Sequence, residues 1–127
     1  MKVFIDTTFF YALYNKNDTF HKDAKEKFAH VIMSEYELWT NNLILIETTS
    51  LIFYRQGFQK LKIFIDWYKE FLMTQWFLEE DFWNIFKEDF SDKLSIVDRS
   101  LMISARNNDS PILTFDEIMA KEFGYVL

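Results

Sequence analysis

Four carboxylates in this sequence stand where solvated surface charge is not the first expectation. Asp6 closes the run Lys2-Val3-Phe4-Ile5-Asp6, and Asp116 closes Ile112-Leu113-Thr114-Phe115-Asp116, so each follows a short apolar stretch and opens a helix. Glu47 interrupts an apolar helical stripe, with Leu43 and Ile44 a turn before it and Leu51 a turn after. Asp98 lies in the first turn of the helix that begins Ser95-Ile96-Val97-Asp98. Each has an ordinary structural role open to it. Asp6 is a good N-cap. Ser95-x-x-Asp98 and Thr114-x-x-Glu117 have the spacing of capping boxes. Glu47, in its apolar stripe, needs something cationic facing it, either an Arg or Lys from a neighbouring helix or a metal ion, because an unpaired buried carboxylate is costly.

The joint pattern says more than its parts. If the strands ending at Asp6 and Asp116 are neighbours, four carboxylates converge on one rim, and such a cluster repels itself without cations. It suits hard divalent ions such as Mg²⁺ or Mn²⁺, which prefer oxygen ligands. The chain has no Cys and only two His, His21 and His30, which disfavours zinc.

Positioning these acids is the task of an alternating α/β chain. Val3-Phe4-Ile5 reads as a strand buried on both faces, as inside a parallel sheet, and the carboxyl ends of such strands form the rim where ligands bind. A short helix follows over Phe9 to Tyr14, then a polar loop over Asn15 to Asp18. A longer helix runs from Thr19 to about Met33 with Phe20, Ala24, Phe28 and Ile32 on one face. Tyr36 to Thr40 is the second strand. Asn41 or Asn42 caps a helix that runs to about Gln56 and ends at Gly57 as a C′ glycine. Gln59 to Leu72 is a helix, Trp76-Phe77-Leu78 a third strand, Asp81 to Phe90 a short helix and Ser95 to Asn107 another. Ile112 to Phe115 is the fourth strand, Asp116 to Phe123 the last helix and Tyr125 to Leu127 an edge strand. Such alternation with short connections predicts a parallel sheet covered on both sides.

Composition sets the limits. The 127 residues fit one domain, spanning 1–127, and half of them are apolar, with 15 Phe, so the core is rich. Two Gly and one Pro leave little room for long loops or a Gly-rich phosphate loop, and neither G-x-G-x-x-G nor a Walker-type loop is present. A net charge of −6 argues against a broad basic face for nucleic acid but not against acids that hold metal. Asp6 breaks the first apolar stretch, so no signal peptide is expected, and no run approaches the roughly 18 apolar residues of a spanning helix. A soluble, cytoplasmic protein with no membrane association is the expectation, and the lack of Cys is compatible with a reducing compartment. Phe and Trp at helical spacing are usually core, but Tyr54, Trp67, Tyr68, Trp76, Phe82, Trp83 and Phe86 exceed what one core is expected to hide, which points to an interaction face.

Asp6-Thr7, Tyr11-Ala12-Leu13, His21-x-x-Ala24, Glu47, Leu94-Ser95-Ile96-Val97-Asp98, Leu113-Thr114-Phe115-Asp116 and Phe123-Gly124, in this order, resemble a PIN domain over nearly the whole chain. The likeness is greatest to the small single-domain PIN proteins typified by the toxins of VapBC toxin–antitoxin pairs. It implies a three-layer α/β/α fold around a central parallel sheet of four to five strands, and a metal-dependent ribonuclease. Matched by position, Asp6, Glu47, Asp98 and Asp116 correspond to the family's acidic quartet, holding Mg²⁺ or Mn²⁺. Thr7, Ser95 and Thr114 match its flanking hydroxyls, which would orient the carboxylates. Thr8 departs from the family pattern, which often has a smaller residue there. His21 matches too, but reads better as a structural, partly buried helix residue than as a general base.

The chemistry that follows is hydrolysis of RNA phosphodiesters, with the acids and their ions at the scissile phosphate and no covalent nucleophile. Arg55, Lys93 and Arg99 lie near the rim in sequence and are candidates for flanking phosphates, against the alternative of solvated surface charge. The resemblance also implies a homodimer and a VapB-like antitoxin that covers the active site. One rival is a catalytically inactive PIN-like module that binds RNA or protein, against which the intact four-acid set speaks. Another is a phosphoacceptor receiver domain, which normally has adjacent acids after its first strand, where this chain has Asp6-Thr7.

Overall fold

The computed structural model describes residues 1–127. Its elements are β1 (Lys2–Ile5), α1 (Thr7–Tyr14), α2 (His21–Met33), β2 (Glu37–Asn41), α3 (Asn42–Gln56), α4 (Phe58–Phe71), β3 (Leu72–Gln75), α5 (Glu79–Ile85), α6 (Ile96–Asn107), β4 (Ile112–Leu113) and α7 (Glu117–Phe123). The four strands pair in the order β3-β2-β1-β4, every pair parallel. Helices cover both faces, giving the three-layer α/β/α arrangement. Val3, Phe4 and Ile5 are fully buried, as a strand flanked on both faces must be. Val3 pairs with Leu38 of β2, and Phe4 pairs with Trp39 on one side and Ile112 on the other.

Because all strands run the same way, their carboxyl ends share one edge. The chain passes from β1 outward to β2 and β3, then returns to place β4 on the other side of β1. The border between β1 and β4 is therefore the topological switch point, where open α/β sheets leave a crevice for ligands. Asp6 and Thr114 flank that border, and it is stitched at its end by Asp6 N–H to the Leu113 carbonyl, 2.9 Å.

Beneath the rim lies an apolar cluster of 22 buried residues. Phe10 is at its centre, edge-on to Phe64 at 5.7 Å and to Trp67 at 6.2 Å between ring centroids. Trp67 and Tyr68, surplus to the core by composition, belong to this aromatic packing. Tyr54, Trp76, Trp83 and Phe86 are exposed, and Phe82 is half-buried.

Two strand assignments change. The third strand lies at Leu72–Gln75, not at Trp76-Phe77-Leu78. Phe77 is excluded from the ladder because its backbone is taken by a side chain: Asn42 Oδ1 accepts from Phe77 N–H at 2.6 Å, and Asn42 Nδ2 donates to the Phe77 carbonyl at 3.3 Å. The edge strand expected at Tyr125 to Leu127 contracts to one parallel bridge, Ile112 with Val126. Asn41, rather than Asn42, caps α3, its Oδ1 accepting from Ile44 N–H at 2.9 Å. The helix after Trp76 begins at Glu79 and ends at Ile85, earlier at both ends than its sequence pattern implies. No helix is long and apolar enough to cross a membrane.

Candidate active site

Asp6 is 1% exposed and sits between β1 and α1 at the switch point. Its Oδ2 accepts from Thr8 Oγ1 at 2.7 Å, from Thr114 Oγ1 at 2.8 Å and, more weakly, from Thr8 N–H at 3.4 Å. Each hydroxyl has one proton, and each spends it on Asp6. Their lone pairs then accept backbone protons, Thr8 Oγ1 from Phe115 N–H and Thr114 Oγ1 from Asp116 N–H, both at 2.9 Å. The Thr8–Thr114 oxygen contact of 3.2 Å follows from this shared acceptor. Asp6 Oδ1, by contrast, is buried with no partner. Burial drives the Asp6 carboxyl up from 3.8 to about 6; the threonine hydroxyls pull it down and the charge of Asp98 adds to the rise.

Asp98 and Asp116 divide their oxygens the same way. Asp98 Oδ2 accepts from Ser95 N–H at 3.0 Å while Ser95 Oγ accepts from Asp98 N–H at 3.0 Å, the reciprocal capping box. Asp116 Oδ1 caps α7, accepting from Ile118 N–H at 2.9 Å and Met119 N–H at 3.1 Å. In all three aspartates one oxygen closes a helix, and the other makes no hydrogen bond within the protein. The structural and the chemical roles open to these residues are thus compatible: the cap orients the carboxylate and leaves an oxygen over. Loss of the cap hydroxyl alone has a modest expected effect. Ser95→Ala should cost about 1 kcal/mol in urea denaturation, the usual value of an N-cap hydroxyl.

Glu47 is half-buried on α3. No Arg or Lys pairs with it; the ion pair of the molecule joins Arg106 to Glu88. Burial raises its carboxyl, the Thr7 hydroxyl lowers it and the Asp98 charge raises it further. Thr7 Oγ1 accepts from Thr48 Oγ1 at 3.0 Å, which leaves its proton for Glu47. Burial also raises Asp98, with the Ser95 bonds opposing and Asp116 adding to the rise. Asp98 is the centre of the group, within electrostatic reach of the other three acids. All four carboxylates therefore share the rim, brought there from β1, α3, α6 and the β4–α7 turn.

The donor set is all oxygen, one of its members is a buried oxygen with nothing to bond, and no protein cation offsets the charge. These properties fit a hard divalent ion. As placed, no three His, Asp or Glu side chains are close enough together to hold a metal ion.

The three candidate phosphate contacts fare differently. Arg55 is exposed near the C-terminus of α3, its guanidinium 5.3 Å from the Tyr11 ring centroid. Lys93 is exposed in the loop before α6. Arg99 is already engaged, Nε donating to the Leu94 carbonyl at 3.2 Å and a terminal nitrogen to the Ser91 carbonyl at 3.1 Å, so it braces the loop that leads to Ser95. His21 Nδ1 bonds the Ala12 carbonyl at 2.8 Å, tying α2 to α1, as a structural histidine should. Thr8 and Thr48 belong to the site although their sequence contexts gave neither a role there.

A parallel sheet with acids at its switch point defines a small α/β protein whose candidate site lies at the carboxyl ends of the strands. The PIN domain family profile matches residues 3–122, and the chain belongs to that family. Among solved structures it is similar to VapC20 (Rv2549c) of Mycobacterium tuberculosis, a toxin that cleaves the sarcin-ricin loop, with a TM-score of 0.78 and 22% identity over 98% of this chain and 96% of that one. It is similar to VapBC2 from Rickettsia felis bound to a promoter DNA fragment, with a TM-score of 0.71 and 10% identity over 100% of this chain and 96% of that one. It is also similar to PAE2754 from Pyrobaculum aerophilum, with a TM-score of 0.64 and 13% identity over 100% of this chain and 88% of that one. No curated protein matches the sequence.

Proposed function

We propose that this chain is a metal-dependent endoribonuclease, the toxin of a VapBC-type pair, working as a single PIN domain over residues 1–127. The observation that carries the reading is Asp6: a buried carboxylate at the switch point, one oxygen fixed by two threonines, the other unpartnered, with the charge of Asp98 within reach. Membership of the PIN family supports the nuclease class, and the likeness to a sarcin-ricin loop cleaving toxin and to a VapBC complex supports the toxin assignment.

In this reading Asp6, Asp98 and Asp116 hold Mg²⁺ or Mn²⁺, and Glu47 completes the set or positions the attacking water. The ion, when bound, neutralises charge at the phosphate and lowers the pKa of a water. The protein's own work is orientation. Thr8 and Thr114 lock Asp6 in one rotamer, Ser95 locks Asp98, and Thr7 aims Glu47. Arg55 is the best placed cation for a flanking phosphate, since Arg99 is spent on carbonyls and Lys93 is fixed by nothing. We place the protein in the cytoplasm, as a homodimer with a VapB-like antitoxin. The exposed aromatic side chains Tyr54, Trp76, Trp83 and Phe86 supply apolar surface for those contacts.

The test is cleavage of a mixed set of labelled RNAs in Mn²⁺, Mg²⁺ or EDTA by wild type and by Glu47→Gln, with folding of both checked by circular dichroism. Cleavage that needs the metal and falls by about 100-fold in the variant is the expected result. Wild type and variant behaving alike on every substrate would favour the inactive binding module instead.

A further inference from the structure

The acidic rim cannot attract a polyanion without help, and the chain carries six more acids than bases. The basic residues that could offset this are not spread evenly. Lys16 in the α1–α2 loop, Arg55 near the end of α3 and Lys60 in the first turn of α4 line one cavity of about 440 Å³, and no carboxylate lines it. The remaining lining is polar or aromatic, including Asn15, Tyr14 and Gln56.

Three features make this more than a chance grouping of surface charge. Gln56 Nε2 is buried in the same lining with no hydrogen-bond partner, a donor that an anion oxygen would satisfy. The N-terminus of α4, a helix of 14 residues, has neither a side-chain cap nor an acid in its first turn, so its free N–H groups and dipole add to the positive potential there. Lys16 and Lys60 make no salt bridge and no hydrogen bond, so no protein group competes for them.

The cavity is also connected to the rim. Arg55 and Tyr11 line both it and a second cavity of about 260 Å³, whose other walls include Thr7 and Thr8, the residues that hold Glu47 and Asp6. Arg55 and Tyr11 thus stand between the basic cavity and the threonines beside the acids, and Asp18 is the one carboxylate in the wall of the second cavity.

We propose that the cavity lined by Lys16, Arg55, Gln56 and Lys60 is a subsite for a backbone phosphate of the RNA, downstream or upstream of the cleaved bond, and that it fixes how the strand lies across the acids. This rests on the ribonuclease reading above but concerns binding, so the two fail separately. Because the subsite grips phosphate, it contributes affinity and register rather than base choice.

The test is binding of a fluorescein-labelled 12-nucleotide single-stranded RNA to the full chain carrying Asp6→Asn, which slows turnover, measured by anisotropy in Mg²⁺ from 50 to 200 mM salt with the RNA checked for intactness on a gel. Lys16→Gln with Lys60→Gln is compared with Lys69→Gln and Lys121→Gln, exposed lysines that line neither cavity. The expected result is about tenfold weaker binding for the first pair. The slope of log K against log salt should also become shallower by about 1.4, the change for two phosphates no longer neutralised on a single strand. The second pair should leave both unchanged. Equal weakening in both pairs, weakening in neither, or no RNA binding at all by the parent would overturn the subsite. So would intact RNA binding together with lost binding of a Glu-rich peptide, which would assign the cavity to a protein partner. If the RNA results hold while wild type cleaves no RNA in any metal, the subsite stands and the nuclease reading falls.

Discussion

Asp6→Asn should give a chain that is more stable than wild type in EDTA at pH 7.5 and cleaves RNA at least about 100-fold more slowly. The two effects have one cause. Burial holds the Asp6 carboxyl at about 6, above its ordinary 3.8. A raised acid favours the protonated fold, so its stabilising contribution is complete below about 3.8 and is lost as pH rises through about 6. At pH 7.5 the ionised group opposes folding by on the order of 3 kcal/mol, two pKa units at about 1.4 each. Asn keeps an oxygen for Thr8 and Thr114 to donate to and carries no charge. Its melting temperature in EDTA should exceed that of wild type by about 5–10 °C at pH 7.5, and the gap should close at pH 4. Mn²⁺ should raise the wild-type melting temperature more than that of the variant, since an ion relieves the same charge. Differential scanning calorimetry at both pH values, with and without metal, checks each part. A variant less stable than wild type at pH 7.5 would mean that Asp6 is held by its hydrogen bonds more strongly than it is penalised by burial.

The rim was legible in the sequence because its acids sit at positions with a physical signature. An acid directly after an apolar strand, at Asp6 and near β4 at Asp116, is placed by chain direction alone, and Glu47 stands out in an apolar stripe. The capping box at Ser95 and Asp98 is a local motif, and it forms as its spacing requires. What was not legible depends on contacts between distant residues. Thr8 looks like any first-turn residue until Thr114, 106 positions away, is set beside it. Arg99 resembles a free cation until the loop from Ser91 to Leu94 folds back onto it. The third strand was displaced for a related reason: Trp76-Phe77-Leu78 is the most apolar short run in its region, but Asn42 takes the Phe77 backbone, and the ladder is made by the less apolar Leu72-Met73-Thr74-Gln75. Trp67 and Tyr68 are core while Tyr54, Trp76, Trp83 and Phe86 are exposed, a division that aromatic content does not report because it depends on which rings pack around Phe10.

Asn41→Ala should be the most damaging polar substitution outside the acids. Asn41 ends β2 with no exposed surface. Its Oδ1 caps α3, and its Nδ2 donates to Ser100 Oγ at 3.1 Å and Ser104 Oγ at 3.2 Å, both buried on α6. One amide thus joins the end of a strand to two helices, the one that carries Glu47 and the one that carries Asp98. Alanine removes the cap, worth about 1 kcal/mol, and leaves two buried serine hydroxyls short of a partner, for a total of about 3 kcal/mol. Asn41→Ser, which keeps a cap acceptor, should cost about half as much. Asn41→Asp keeps the cap but cannot donate to the serines and buries a charge, so it should be poorly tolerated at pH 7.5 and recover towards pH 4. Urea denaturation at the two pH values gives the order. Cleavage at saturating RNA gives the second readout: Asn41→Ala should lose activity even at temperatures where it remains fully folded, because α3 and α6 then set Glu47 and Asp98 less firmly. If Asn41→Ala lies within about 0.5 kcal/mol of wild type, the helices hold one another through their apolar contacts alone and the amide bridge is incidental.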